Sequence, residues 1–98
     1  MNNIAPALNG PYKPYISMGE DTEITVGKNR GSYDNPLVEV HIETACEGGF
    51  KTLRVDVPTM DVIYNDGFSD EEQVVWLSFI GKRRTPILDI SDGGSAYA

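Results

Sequence analysis

Two segments alternate apolar and polar side chains, Leu37–Cys46 (LVEVHIETAC) and Phe50–Val57 (FKTLRVDV), and between them lies the pair Gly48-Gly49. A period of two puts one set of side chains on each face of an extended chain, whereas a helix would scatter both sets around its circumference. Glycine tolerates the positive φ angles of a two-residue type I′ loop, so the pair predicts a β-hairpin over residues 37–57. With Gly48-Gly49 as the loop, Glu47 faces Phe50, and the apolar pairs are Thr44 with Leu53, Ile42 with Val55 and Val40 with Val57. On the polar face Glu43 meets Arg54 and His41 meets Asp56. A slip of one residue would set apolar against charged side chains throughout, so the rest of the fold must be built around this hairpin.

The flanking segments are shorter. Thr22–Val26 (TEITV) alternates as a half-buried strand, and Gly27 to Pro36 carries the Gly, Asn and Pro punctuation of a loop, made locally basic by Lys28 and Arg30. Residues 1–13 read as an extended arm, rich in proline, with Tyr12 and Tyr15 of the "PYKPY" stretch docking it onto the body. After Pro58, a Thr59 cap and a terminal Gly67 predict a short helical turn. Residues 69–80 carry conflicting signals. Ser69 with Glu72 forms a capping box, acids fill the first turn, and Gly81 precedes Lys82, Arg83 and Arg84, all of which favour a helix. Val74, Val75, Trp76, Phe79 and Ile80 favour a strand instead, which would pair with Pro86–Ile90 (PILDI). Read as a strand in either case, PILDI precedes a flexible tail over 93–98.

The fold expected is therefore a small α+β single domain over residues 14–92, an antiparallel sheet built on the 37–57 hairpin with one short helix at 69–80. The alternative is nearly all-β. In that version the hairpin, Pro58-Thr59, a turn of helix, an apolar strand ending in Phe79–Lys82 (FIGK) and a late Gly93-Gly94 resemble the β-grasp pattern of ubiquitin-like proteins over residues 37–82. Ser95 to Ala98 follow the double glycine, so the family's conjugation chemistry is not carried over to Gly94.

Ninety-eight residues, 40% hydrophobic and 23% charged, suit one soluble core. One cysteine makes no internal disulfide, the N-terminus lacks a signal-peptide pattern, and the longest apolar run, Val74–Leu77, is far below the ~20 residues of a membrane span, so a cytoplasmic protein is expected. The net charge of −7 disfavours direct nucleic-acid or anionic-membrane binding, and serves either solubility or steering toward a basic protein partner.

Chemistry is sparse. His41 and Cys46 stand five residues apart on one strand, on opposite faces and ~17 Å apart at ~3.3 Å per residue, which rules out a Cys-His couple. Cys46 reads as a small inward hydrophobe. His41 reads as a surface histidine among Glu39, Glu43 and Asp56, with its pKa raised by those acids. Asp70, Glu71 and Glu72 form a charge run, without catalytic spacing, and no phosphate loop, EF-hand, zinc pattern or nucleophile elbow occurs. No cofactor or metal is expected. The reading that follows is a non-enzymatic, acidic binding factor of inhibitor, immunity or adaptor type, from a bacterium, phage or mobile element. It would meet a basic protein partner through Glu39, His41, Glu43, Asp56, Asp70, Glu71 and Glu72. The second reading is a structural or self-assembling accessory protein, a virion component or homo-oligomer joined through Val74, Trp76, Phe79 and Ile80.

Overall fold

A computed structural model describes residues 13–91; the expected tail over 93–98, and the expected arm apart from Lys13, lie outside them. The elements are β1 (Lys13–Met18), β2 (Thr22–Asn29), β3 (Val38–Cys46), β4 (Gly49–Val57), β5 (Val62–Asp66), α1 (Asp70–Gly81) and α2 (Arg84–Ser91). The strands form one antiparallel meander in the order β1-β2-β3-β4-β5, each paired with its neighbour in sequence. The two helices follow the last strand, so the domain is α+β. No crossover helix interrupts the sheet, and the β-grasp alternative is thereby lost.

Alternation decides which face is buried. Ile24 and Val26 of β2, Val38, Val40 and Ile42 of β3, and Leu53, Val55 and Val57 of β4 have no exposed surface. Phe68, Ile80 and Ile87 join the same cluster from the helical side, with Tyr15, Trp76 and Leu88 packed around it. Burying each such side chain contributes roughly 1.5–3 kcal/mol.

The predicted hairpin forms, but its register differs by two residues. Cys46 pairs with Gly49 around a Glu47-Gly48 loop, giving Ile42 with Leu53, Val40 with Val55 and Val38 with Val57. A slip of two returns every side chain to its own face, so alternation cannot detect it; the turn decides. Gly48 has φ 88, while Met60 is the one non-glycine with positive φ among the described residues, so Glu47 keeps a negative φ. Positive φ at the second loop residue alone belongs to a type II turn, not to the type I′ turn expected. Cys46 corrects a second expectation. It lies on the core side of β3, yet it is exposed, because the hairpin from Ala45 to Phe50 overhangs the core.

Three elements were assigned otherwise. β1 was not anticipated; it forms a sheet edge, and Lys13 Nζ donates to the Ile90 and Ser91 carbonyls at 3.3 and 3.5 Å, closing the C-terminus of α2 with a cation. The helical turn expected after Thr59 is strand β5, since Val62, Ile63 and Tyr64 suit pleated backbone and find the free edge of β4. PILDI belongs to α2. Pro86 falls in the first turn, where its missing N–H has no helical partner to lose, and helical spacing turns Ile87 and Ser91 inward together.

Residues 70–81 resolve as helix. Ser69 Oγ accepts from the Glu72 N–H at 3.1 Å and Glu72 Oε1 accepts from the Ser69 N–H at 2.9 Å, completing the predicted capping box. Asn65 positions this start: its Oδ1 accepts from the Phe68 N–H, and its Nδ2 donates to Gln73 Oε1 at 2.8 Å. Trp76 and Phe79, which argued for a strand, pack edge to face instead, with 5.6 Å between centroids, and Phe68 packs on Trp76 in the same way at 6.5 Å.

Two glycines of this region should respond oppositely to alanine. Gly81 lies in the last turn of α1 without positive φ, and a Cβ there meets only Met60 Cε, at 3.8 Å. Gly81→Ala should stabilise by about 0.4–1 kcal/mol. Gly67 has φ 104, and its Cβ would lie 2.9 Å from Lys51 Cγ. Gly67→Ala should cost about 1–2 kcal/mol, and urea unfolding of both variants measures the contrast.

Candidate functional site

The sheet face turned away from the helices carries the residues that the sequence singled out, but not as one open surface. Glu39 on β3 and Arg54 on β4 are 1% and 2% exposed, and Arg54 Nε donates to Glu39 Oε2 at 2.5 Å. Glu39 is therefore internal, which corrects its assignment to an exposed contact face. Asp56 is bound by Arg30 from the β2–β3 loop. Burial pushes the Asp56 carboxyl up, and the Arg30 guanidinium pulls it down less strongly.

His41 is half-buried and faces Arg54 rather than Asp56, a direct consequence of the two-residue change in register. Its pKa is lowered, not raised. Burial is the largest cause, Arg54 adds to it, and Glu43 and Glu39 oppose it.

The remaining predicted residues gather elsewhere. In a meander, alternate turns fall at the same end of the sheet. The β1–β2 turn bears Glu20 and Asp21, the β3–β4 turn bears Glu47, and the end of β5 brings Asp66, all beside one another at the overhanging hairpin end. Glu23 on β2 and Glu43 on β3 stand directly opposite each other there. The N-terminus of α1, with Asp70 and Glu71 exposed, is tied to the same end by Lys51 Nζ, which donates to Glu72 Oε2 at 2.9 Å. That bond and the Ser69 N–H hold the Glu72 carboxyl below its ordinary range.

Lys51 is the cation in this group, and it is already paired with Glu72. The opposite end holds Lys13, Lys28, Arg30, Lys82, Arg83 and Arg84, placed by the start of β1, the end of β2 with the loop after it, and the α1–α2 junction. Gly81 approaches Met60 in the β4–β5 turn, which sets the C-terminus of α1 at that basic end.

Amid the acids, Phe50 is 61% exposed, and a shallow cleft of about 240 Å³ runs between the turns, lined by Ser17, Glu20, Asp21, Glu23, Glu43 and Phe50. An aromatic side chain ringed by carboxylates can seat an aliphatic or cationic group and hold its charge at once. Sequence reading found Glu43 and the 70–72 run but missed Glu20, Asp21, Glu23, Glu47 and Phe50. Their signal was position near turns, which becomes informative only when the strand order is known.

No family model, curated protein or solved structure matches this chain. Among the described residues, no group of three or more His, Cys, Asp or Glu side chains is arranged to hold a metal ion, and no helix is long and apolar enough to cross a membrane.

Two measurements check this geometry. Removing either member of the buried ion pair leaves a bare charge inside, so Glu39→Leu or Arg54→Met alone should cost about 3–5 kcal/mol in urea unfolding. The double variant should lose less than the sum of the singles, with a coupling of about 1 kcal/mol or more. Separately, a base whose pKa is lowered on folding contributes stability that is present above its ordinary value of 6.5 and lost as the pH falls below it. The NMR titration of His41 in the folded protein should have its midpoint below 6.5. Glu43→Gln should lower it further, because Glu43 is the largest influence that raises it.

Proposed function

We propose that the protein is a small non-enzymatic binding factor, of inhibitor, immunity or adaptor type, that engages a protein partner with a basic surface through its acidic hairpin end. The observation that carries this reading is the placement of Glu23 directly opposite Glu43, surrounded by the acids of neighbouring turns and by the exposed Phe50. Like charges opposed across a strand pair destabilise the sheet, and nothing in the core requires them. A partner's lysines or arginines would relieve that repulsion, while Phe50 supplies the apolar anchor that binding hot spots usually need.

Complementary charge of this kind accelerates encounter and selects against acidic competitors, nucleic acids and anionic lipids among them. The setting proposed is the cytoplasm, where the exposed Cys46 thiol stays reduced. The second reading, self-assembly, draws support from a different surface on α1.

The test is affinity capture from the native host, using the intact protein and a Glu23→Lys/Glu43→Lys/Glu47→Lys variant as parallel baits. A basic protein should be retained by the first, lost by the second, and released from the first as salt rises through ~0.5 M. Phe50→Ala should weaken retention without altering its salt dependence. Capture that ignores both the charge reversal and the salt would overturn the proposal.

A further inference from the structure

Helix α1 carries apolar side chains on nearly every side, and the sheet covers only part of them. Ile80 is buried and Trp76, Leu77 and Phe79 pack against the core, so three of the four residues expected to join copies of the chain, Trp76, Phe79 and Ile80, are partly or wholly committed to the body, and only an edge of Phe79 reaches the outer face. The outward stripe runs Glu71, Val74, Val75, Ser78 and Lys82, at the i, i+3, i+4, i+7 and i+11 spacing of one helix face. Val74 and Val75 are 64% and 65% exposed. With Ser78, Phe79, Lys82 and Arg83 they line a groove of about 440 Å³.

The order of residues along that stripe is self-complementary. Take a two-fold axis passing between Trp76 and Leu77, with a second α1 laid antiparallel across the first. Glu71 then meets Lys82 of the other copy, Val74 meets Phe79, and Val75 meets the small Ser78. Glu71 and Lys82 are both exposed and lie ~16 Å apart along the helix, at 1.5 Å per residue, so each end of the pair brings opposite charges together. Arg83 lies over the Phe79 ring, 3.6 Å from its centroid, and donates to the Phe79 carbonyl, fixing the aromatic edge of the groove.

The geometry points to a second copy of this chain as the partner of α1, in an isologous antiparallel helix pair. One helix stripe buries less than the ~1,200–2,000 Å² of standard stable interfaces, so the dimer is weak, with a dissociation constant above about 1 μM. This association uses the exposed α1 stripe and stands independently of partner binding at Glu23, Glu43 and Phe50.

Sedimentation equilibrium of the full chain over a concentration series up to ~1 mM tests it. The mass should rise from monomer toward dimer. Val75→Glu, at an exposed site where circular dichroism should show the fold unchanged, should abolish the rise. Glu71→Lys and Lys82→Glu should each weaken association by about tenfold, and the two together should restore it, since the swapped pair is again complementary. A monomer at every concentration, a dimer indifferent to Val75→Glu, or a double variant no better than its singles would overturn the inference.

Discussion

Eight aliphatic side chains from β2, β3 and β4, none with exposed surface, form the sheet face on which the rest of the molecule depends. A sheet with one apolar face must be covered, and the chain after β5 is the segment that does so. This requirement explains why sequences with strong β preference become helical here. Trp76 and Ile80 in α1, and Ile87 in α2, are more valuable as a lid over that face than as further strands beside it. The lid is short, however. It leaves the hairpin from Ala45 to Phe50 beyond the core, and it leaves the valine stripe of α1 outside it.

The opposite sheet face is settled by charge. Glu39 and Arg54, diagonal neighbours across β3 and β4, pair within a surface that excludes water from both, and two desolvated ions are tolerated only when each satisfies the other. That pairing exists because the hairpin closes at Glu47-Gly48. Had it closed one position later, at Gly48-Gly49, Arg54 would face Glu43 and His41 would face Asp56. The part that Arg54 adds to burial in lowering the pKa of His41, and its bond to Glu39, thus depend on one feature, the type of a two-residue turn.

These dependencies show which features the sequence made legible. Alternation identified β3, β4 and, Cys46 apart, the side chains they turn toward the core, and the Ser69–Glu72 box identified α1, because both signals are local. Register was illegible by two residues because a period of two is blind to that slip. β5 was misread because Thr59 and Gly67 imitate helix ends around a stretch whose real partner, the edge of β4, is a tertiary feature. α2 was misread for the complementary reason: PILDI has strand composition, and only the need to bring Ile87 against the core makes it helical. The acidic site was half visible for the same reason, since Glu20 to Glu23, Glu43 to Glu47 and Asp66 to Glu72 become neighbours only in a meander.

The distribution of charge is harder to account for by stability or solubility than its sum. Excess acid keeps a protein soluble when spread over the surface. Here most of the carboxylates among the described residues crowd one end, where Lys51 is the cation, and most of the cations sit at the other with Asp34, Asp56 and Asp61. β3 spans nine residues, about 30 Å, whereas charges in physiological salt are screened beyond ~8 Å. The basic end therefore lies too far away to screen the acidic one, where Glu23 and Glu43 are placed opposite each other across β2 and β3. A chain selected for stability alone would move one of these carboxylates at no expense to its core. Local rules broken without a structural return concentrate at sites that other molecules complete, and the acidic end with Phe50 in its midst fits that description better than any other part of this surface.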